Sequence, residues 1–482
     1  MTPTIPADQP LQFVLHQFIF PFSLDRHSRD QVKHQMMKDG FHPFYLQNLS
    51  LEDAFYGEDF RVSHHNLERY YLPFTNRILF PRRDEDEGLR RFSKSMSLPC
   101  RMDMESGSIR FTIHSVDVIL CPFDIGFITL RTELDRQDLH YTQALEFAGR
   151  FRVLQNLKDQ QKRTLLTVDE GDAYQEVEDL IFHRLVPGMM PYMDKTELKE
   201  SYFEKLPFFV DERMFVHSLY AFDQEQEITD IDLYRGSRID GTDEEGRPYI
   251  SASNSDYISR YCRKHAYDRW APHTYYLTEE TSFVCLTNQE HQAAAAIGSH
   301  MCGEYYYAIL LNLFYKIVLL KLSTRYSHVQ LEKNQDEIEE LIRAITLFSA
   351  KYYFLEVVSQ SQGKDIFLQV KDHLGSDHLF KEVKETLSDL YTYQEDFTSK
   401  RSSYLLQILT IYTVISGIYG MNQVIEDLKG DIDWSKVQEY SSFEYIALGV
   451  TLTGIVVSFG LGMHTIYRLY RGWRKRKELK KL

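Results

Sequence analysis

The residues best suited to chemistry in this 482-residue chain are neutral oxygens set at helical spacing near its C-terminus. No glycine or proline occurs from Ser376 to Ser416, so one long helix is expected there, with Ser376 available to cap it. Wound at about 100° per residue, the helix carries Ser399, Ser402, Leu406, Thr410, Thr413, Gly417 and Gly420 within about 60° of a common line. Leu405, Ile408, Ile411, Ile415 and Ile418 take the opposite side. Hydroxyls and glycines on one stripe of an apolar helix have two readings: close packing on another helix, or the lining of a water-filled path. The face continues toward the N-terminus through Glu395, Thr392, Ser388 and Glu385, with Asp396 at its edge, a negative and hydroxylated track suited to cations. One helix encloses nothing. A path needs several chains around an axis, with Leu406 as the bulky apolar ring that could close it by dewetting.

The charges around this helix point to a bilayer. Ser402 to Ile425 is 24 residues without a charge and Tyr445 to Tyr467 is 23, and each meets the roughly 20-residue requirement for a membrane span. Residues 423–444 hold six acids against two lysines, and 468–482 hold eight Lys/Arg against one Glu. The positive-inside rule then makes both termini cytoplasmic, in a multi-pass protein of the inner (plasma) membrane. The run Tyr305 to Leu322 is interrupted by Lys316 and reads as a buried core helix. The start MTPTIPADQP has neither a basic nor an apolar region, so no signal peptide is expected.

All 14 prolines lie at or before Pro272, which separates a mixed half from a helical one. Ile109–Ile113, Val116–Cys121, Phe127–Arg131, Phe13–Phe20, Thr274–Leu286 and Phe208–Phe222, the last around an acidic break, read as strands. Pro122, Asp124 and Gly126 mark a hairpin turn, Gln143–Lys158 has helical spacing, and Asp240–Gly246 is a turn-rich loop. From Glu304 onward the reading is helical, broken at Gly363 and Gly375. The fold class is α+β. Its expected parts are an α/β cytosolic domain (1–290), a helical stalk (291–400) continuing into the first span (401–422), an external acidic loop (423–444), the second span (445–467) and a basic tail (468–482).

The first span ends in Tyr419-Gly420-Met421-Asn422. This motif, between a long acidic helix and a second span followed by the basic Trp473-Arg474-Lys475-Arg476, resembles the signature of the CorA superfamily of magnesium channels. The resemblance is specific over residues 385–475 and extends less sharply back to about 304. It implies a homopentameric funnel, with the first span lining a central pore and the second surrounding it. Magnesium sheds its waters reluctantly, so neutral oxygens would hold the hydrated ion: a ring of Asn422 amides at the outer mouth, with Thr413 and Thr410 deeper. Gly420 would let the backbone leave helical geometry, and Met421 would pack behind it. Glu426 and Asp427 either gather divalent cations near the mouth or are plain solvated loop charges. The following Gln-Val-Ile-Glu-Asp departs from the family's Met-Pro-Glu type loop, so zinc, cobalt and nickel stand beside magnesium as candidate ions. Family members sense magnesium through acids between cytosolic domains. Asp336, Glu337, Glu339 and Glu340 fit that role or form a solvated helix face.

The long N-terminal region and the hairpin SVDVILCPFDIGFITLRTE are similar to CorA-like membrane effectors of type III CRISPR defence, which a SAM-AMP type nucleotide messenger opens. Arg260, Tyr261, Arg263, Lys264, His265, Tyr267, Arg269 and Trp270 combine cations with aromatic faces as phosphates and an adenine would need, although a basic surface helix explains them equally well. His64, His65, His291 and His300 lie in no HExxH pattern, and no GxSxG, Walker loop or strand-borne GxGxxG is present, so a membrane-tethered hydrolase is a distant alternative and no enzyme is expected. The net charge of −15 argues against a nucleic-acid partner, and five scattered cysteines without a CxxC pair argue against a disulfide framework or zinc knuckle.

Overall fold

The computed structural model describes residues 5–6, 8–25, 28–82, 87–104, 107–155, 165–168, 171–194, 213–329, 335–426, 438, 440–446 and single positions from 449 to 467. Near the end of the longest helix it describes side chains to Thr413 and at Ser416 and Gly417. The fold is mixed α+β, with Met1–Thr386 as one compact unit and Leu387–Leu482 as another.

Among the described residues eleven strands form one sheet: β1 (Leu11–Ser23), β2 (His42–Pro43), β3 (Arg90–Met104), β4 (Gly107–Cys121), β5 (Ile125–Leu134), β6 (Leu165–Val168), β7 (Ala173–Tyr174), β8 (Phe215–Phe222), β9 (Ala266–Trp270), β10 (Thr274–Thr278) and β11 (Ser282–Thr287). Their order is β7-β6-β3-β4-β5-β1-β8-β11-β10-β9, with β2 beside β3. The β8–β11 pair is parallel and the others are antiparallel. The expected turn joins β4 to β5, with Phe123 and Asp124 at φ 65° and 55°. Gly126 is needed just after it, because the Phe22 ring occupies the place a Cβ would take. Of the strand expected over 208–222, residues 208–212 lie outside the described residues and β8 covers its end.

The helices are α1 (Arg29–Lys38), α2 (His64–Tyr70), α3 (Pro73–Leu79), α4 (Tyr141–Phe151), α5 (Val177–Asp179), α6 (Asp230–Arg238), α7 (Ser255–His265), α8 (His291–Cys302), α9 (Glu304–His328), α10 (Gln335–Lys351), α11 (Ser361–His373) and α12 (Ser376–Glu426). Within the first unit, α4 and the pair α8 and α9 cover the sheet on its two sides. On one, α4 lays Phe147 and Phe151 against Phe18 and Phe111. On the other, α8 and α9 cover a row of polar groups that crosses four adjacent strands. Asp117 on β4 meets Arg131 on β5 at 2.7 Å, Arg131 Nε donates to Gln17 Oε1 on β1 at 3.1 Å, and Gln17 Nε2 donates to His217 Nδ1 on β8 at 3.1 Å. Arg91 adds a second guanidinium 2.9 Å from Asp117, and Tyr306 and Tyr307 of α9 close the network through Thr129 and Arg91. These charges are fully buried. The paired arginines hold the Asp117 carboxyl below its ordinary pKa although burial alone would raise it.

The run Tyr305–Leu322 is a core helix, as its interrupting lysine suggests. The helical stretch from His291 to Ser327 is the one among the described residues long and apolar enough to cross a membrane, and 78% of its apolar window is buried within the protein. Lys316 ends near the surface, 2.7 Å from Glu280. Gly363 is a correction. It lies inside α11 rather than at a break, and it is glycine because the Tyr70 hydroxyl fills the space of a side chain. Gly375 does end a helix, at φ 67°, and Ser376 is the first residue of α12 rather than its cap.

Candidate functional site

Helix α12 runs for 51 residues, about 76 Å at 1.5 Å per residue, without the breakers that would stop it before Gly417. It passes through Tyr419, Gly420, Met421 and Asn422 and ends at Glu426, so the backbone at Gly420 is helical and does not depart from the helix as the motif led us to expect. Glu426 is thus the end of a helix rather than a loop residue. Asp427 lies outside the described residues, and the motif's side chains are likewise undescribed.

From Arg401 to Thr413 every side chain of α12 is exposed except Tyr412, which is half-buried. Both faces are bare: Leu406 is 64% exposed on the hydroxyl stripe and Ile411 57% on the aliphatic side. Ser399, Ser402, Thr410, Thr413 and Gly417 are exposed with Leu406. The Thr410 and Thr413 hydroxyls each donate to the carbonyl four residues earlier, Leu406 and Leu409, at 2.7 Å. A threonine bonded this way has spent its proton on the backbone and turns only acceptor lone pairs outward, which suits a cation or its water shell.

The second charge-free segment is helical at its described positions. Its start follows from the Ser441-Ser442-Phe443-Glu444 sequence: Glu444 Oε2 accepts from the Ser441 N–H at 2.6 Å and from its hydroxyl at 2.8 Å, one arm of a capping box. Those bonds lower the Glu444 pKa. Farther along, Thr453 lies 3.3 Å from the Tyr412 hydroxyl, so the two segments fold back on one another. The outward side chains Phe443, Ile446, Val456, Met463 and Tyr467 are exposed.

The other sequence-selected residues do not converge. Arg260, Arg263 and Lys264 are exposed on α7, while Tyr261 turns inward to Ser237 and Glu279 and stacks on His265 with centroids 4.1 Å apart. Arg269 and Trp270 lie on the edge strand β9, where Arg269 reaches Ser361 at 3.3 Å, and Tyr267 stands 3.5 Å from Asp365. Asp336, Glu337, Glu339 and Glu340 are exposed on α10, Glu340 at 3.4 Å from Arg325. His64 is buried against Phe44 and bonded to the Leu46 carbonyl, His65 is exposed, and His300 pairs with Glu304 at 3.2 Å. His291 sits beside Arg136 at the rim of an open cleft of about 880 Å³ lined by Asp53, Asp59, His114 and Glu133. Glu133 in that cleft is already paired, with His114 at 2.8 Å and Arg136 at 2.8 Å. Burial raises the Glu133 pKa, but hydrogen bonds from His114 and Arg136 outweigh it and hold the carboxyl low. Among the described residues no three His, Cys, Asp or Glu side chains are placed to share a metal ion. No protein-family model, no curated protein and no solved structure matches the chain.

Proposed function

We propose that the protein is a CorA-like homopentameric channel that carries divalent cations, magnesium foremost, across the inner membrane, with both termini cytoplasmic. The observation that carries this reading is the exposure of apolar side chains on all sides of α12 from Tyr404 to Ile411, since a helix bare on every side in one chain must be covered by lipid on one face and by copies of itself on another. Five copies of α12 surround the axis with their hydroxyl stripes inward, and the second segment takes the lipid-facing ring. The hydrated ion passes acceptor oxygens of Thr413 and Thr410, below a ring of Asn422 amides. These are neutral groups that bind its waters without stripping them. Leu406 forms the dry constriction, and the acids from Glu426 onward raise the local cation concentration at the mouth. Residues ahead of the span control the gate through the unbroken α12.

This reading is tested by counting subunits in the purified protein and measuring divalent-ion influx into vesicles that contain it. A pentamer whose magnesium influx falls with Asn422→Ala supports the proposal. A protein that stays monomeric in lipid and passes no divalent ion overturns it. The nucleotide-opened reading stands on the resemblance of the N-terminal region and its hairpin; its candidate binding residues, Arg260 to Trp270, are divided between exposed positions on α7, an inward Tyr261 and the edge strand β9 and do not form one site.

A further inference from the structure

A separate cavity of about 390 Å³ opens at the C-terminal end of α4, between Arg150, Arg152 and Arg213, with Leu145, Val153 and Ile239 as apolar walls. The backbone builds it. The Arg152 N–H closes the last turn of α4 on the Ala148 carbonyl, and the adjacent Val153 forms a β-bridge with Arg213, which brings two arginines distant in sequence to one rim. Arg150 is paired with Glu146 at 2.9 Å. Arg152 is different. Its side chain is nine-tenths buried, its Nε has no hydrogen-bond partner, and among the described residues neither it nor Arg213 forms an ion pair.

A helix C-terminus accounts for one nearby cation, which Arg150 supplies. It does not account for a second guanidinium taken out of water without a counter-charge, an arrangement that costs free energy unless an anion is bound. The cavity also holds acid: Glu146 lines it and is taken up by Arg150, and Asp240 acts on Arg152 from nearby, but burial first and then the neighbouring Arg213 and Arg238 outweigh Asp240 and push the Arg152 pKa down to about 10.

We propose that this cavity binds the dianionic phosphate of a small molecule, a phosphate monoester or a diphosphate, between Arg152 and Arg213. Guanidinium forks match phosphate oxygens, and two unmatched cations match two negative charges. Leu145, Val153 and Ile239 receive the organic part, in a space within the roughly 300–1,000 Å³ range of small-ligand sites. This site does not depend on whether the protein conducts ions.

The test is calorimetric titration of the full-length protein in detergent with pyrophosphate, inorganic phosphate, AMP and adenosine at constant ionic strength. One saturable pyrophosphate site per chain is expected, weakened about tenfold or more by Arg152→Gln and by Arg213→Gln, and unchanged by Arg247→Gln, which alters an exposed loop arginine. AMP is expected to bind more tightly than inorganic phosphate. Arg213 is exposed, so its variant should fold and decides the matter even if Arg152→Gln does not. Absence of pyrophosphate binding, wild-type affinity in Arg213→Gln, or adenosine binding as well as AMP would each overturn the proposal.

Discussion

The hydroxyl of Tyr412 lies 3.3 Å from that of Thr453, and a Cβ on the next residue, Gly454, would sit 3.5 Å from the Tyr412 ring. The two charge-free segments therefore meet at a small residue, where one methyl fits and a larger side chain does not. Gly454→Ala should leave thermal stability in detergent near that of the wild type. Gly454→Leu should lower it by about 1–3 kcal/mol, the usual cost of overpacking. Equal stability of the two variants would show that this contact does not hold the segments together.

Asp117 neutralises two buried guanidiniums at once, at 2.9 Å from Arg91 and 2.7 Å from Arg131. Asp117→Asn keeps the shape and removes the charge, leaving both arginines uncompensated in the centre of the sheet. The expected loss is about 3–5 kcal/mol in denaturant unfolding of the full chain. A loss below 1 kcal/mol would mean that the pair is solvated in a way its burial does not suggest.

Acid should weaken the N-terminal unit well above the range where carboxylates titrate. Burial lowers the pKa of His16 and of His217 from 6.5 to about 3, so the unfolded chain takes up these protons while the folded one refuses them. Their contribution to stability is complete above pH 6.5 and is lost as pH falls toward 3, at about 1.4 kcal/mol per histidine per pH unit. His300 acts in the opposite sense: its bond to Glu304 raises its pKa, so its contribution is present below pH 6.5 and fades as pH rises through its folded value. It is half exposed and weighs less. Stability should thus drop by on the order of 3 kcal/mol between pH 6.5 and 5, and His217→Gln should remove about half of that slope. An acid limb unchanged in His217→Gln would contradict this assignment.

If Leu406 is the dry ring, a polar side chain there should keep the path wet. Leu406→Ser is expected to raise resting magnesium influx severalfold in vesicles, while Ile408→Ser, on the opposite side of the helix, should not. Equal effects at both positions would mean that Leu406 has no special place on the axis.

The hairpin at Pro122–Gly126 and the core helix over Tyr305–Leu322 were legible in the sequence because each rests on local chemistry: turn residues in one case, an apolar run interrupted by one lysine in the other. β3 was not. Its 15 residues contain Pro99, and the ladder shifts register between Ser95 and Leu98, where Ser97 takes φ 48°, so the two-residue alternation that announces a strand is broken. The buried Asp117, Arg91 and Arg131 were invisible for a related reason, since charges are ordinarily surface residues and only the sheet register brings these three together. Gly363 looked like a break because the Tyr70 hydroxyl that requires it lies almost 300 positions earlier in the chain. At the candidate sites, the stripe on α12 followed from helical spacing alone. Arg152 and Arg213 belong to no motif, and only a single β-bridge makes them neighbours.

On the proposed function, the hydroxyl face of α12 lines an ion path. Thiol block of magnesium influx into vesicles tests it most directly, because all five native cysteines are buried and an introduced one can be read alone. A charged, membrane-impermeant thiol reagent should stop influx through Thr410→Cys and Thr413→Cys and leave Leu405→Cys and Ile408→Cys conducting. Block at the aliphatic positions instead, or no influx of any divalent ion from a protein incorporated in lipid, would contradict the account.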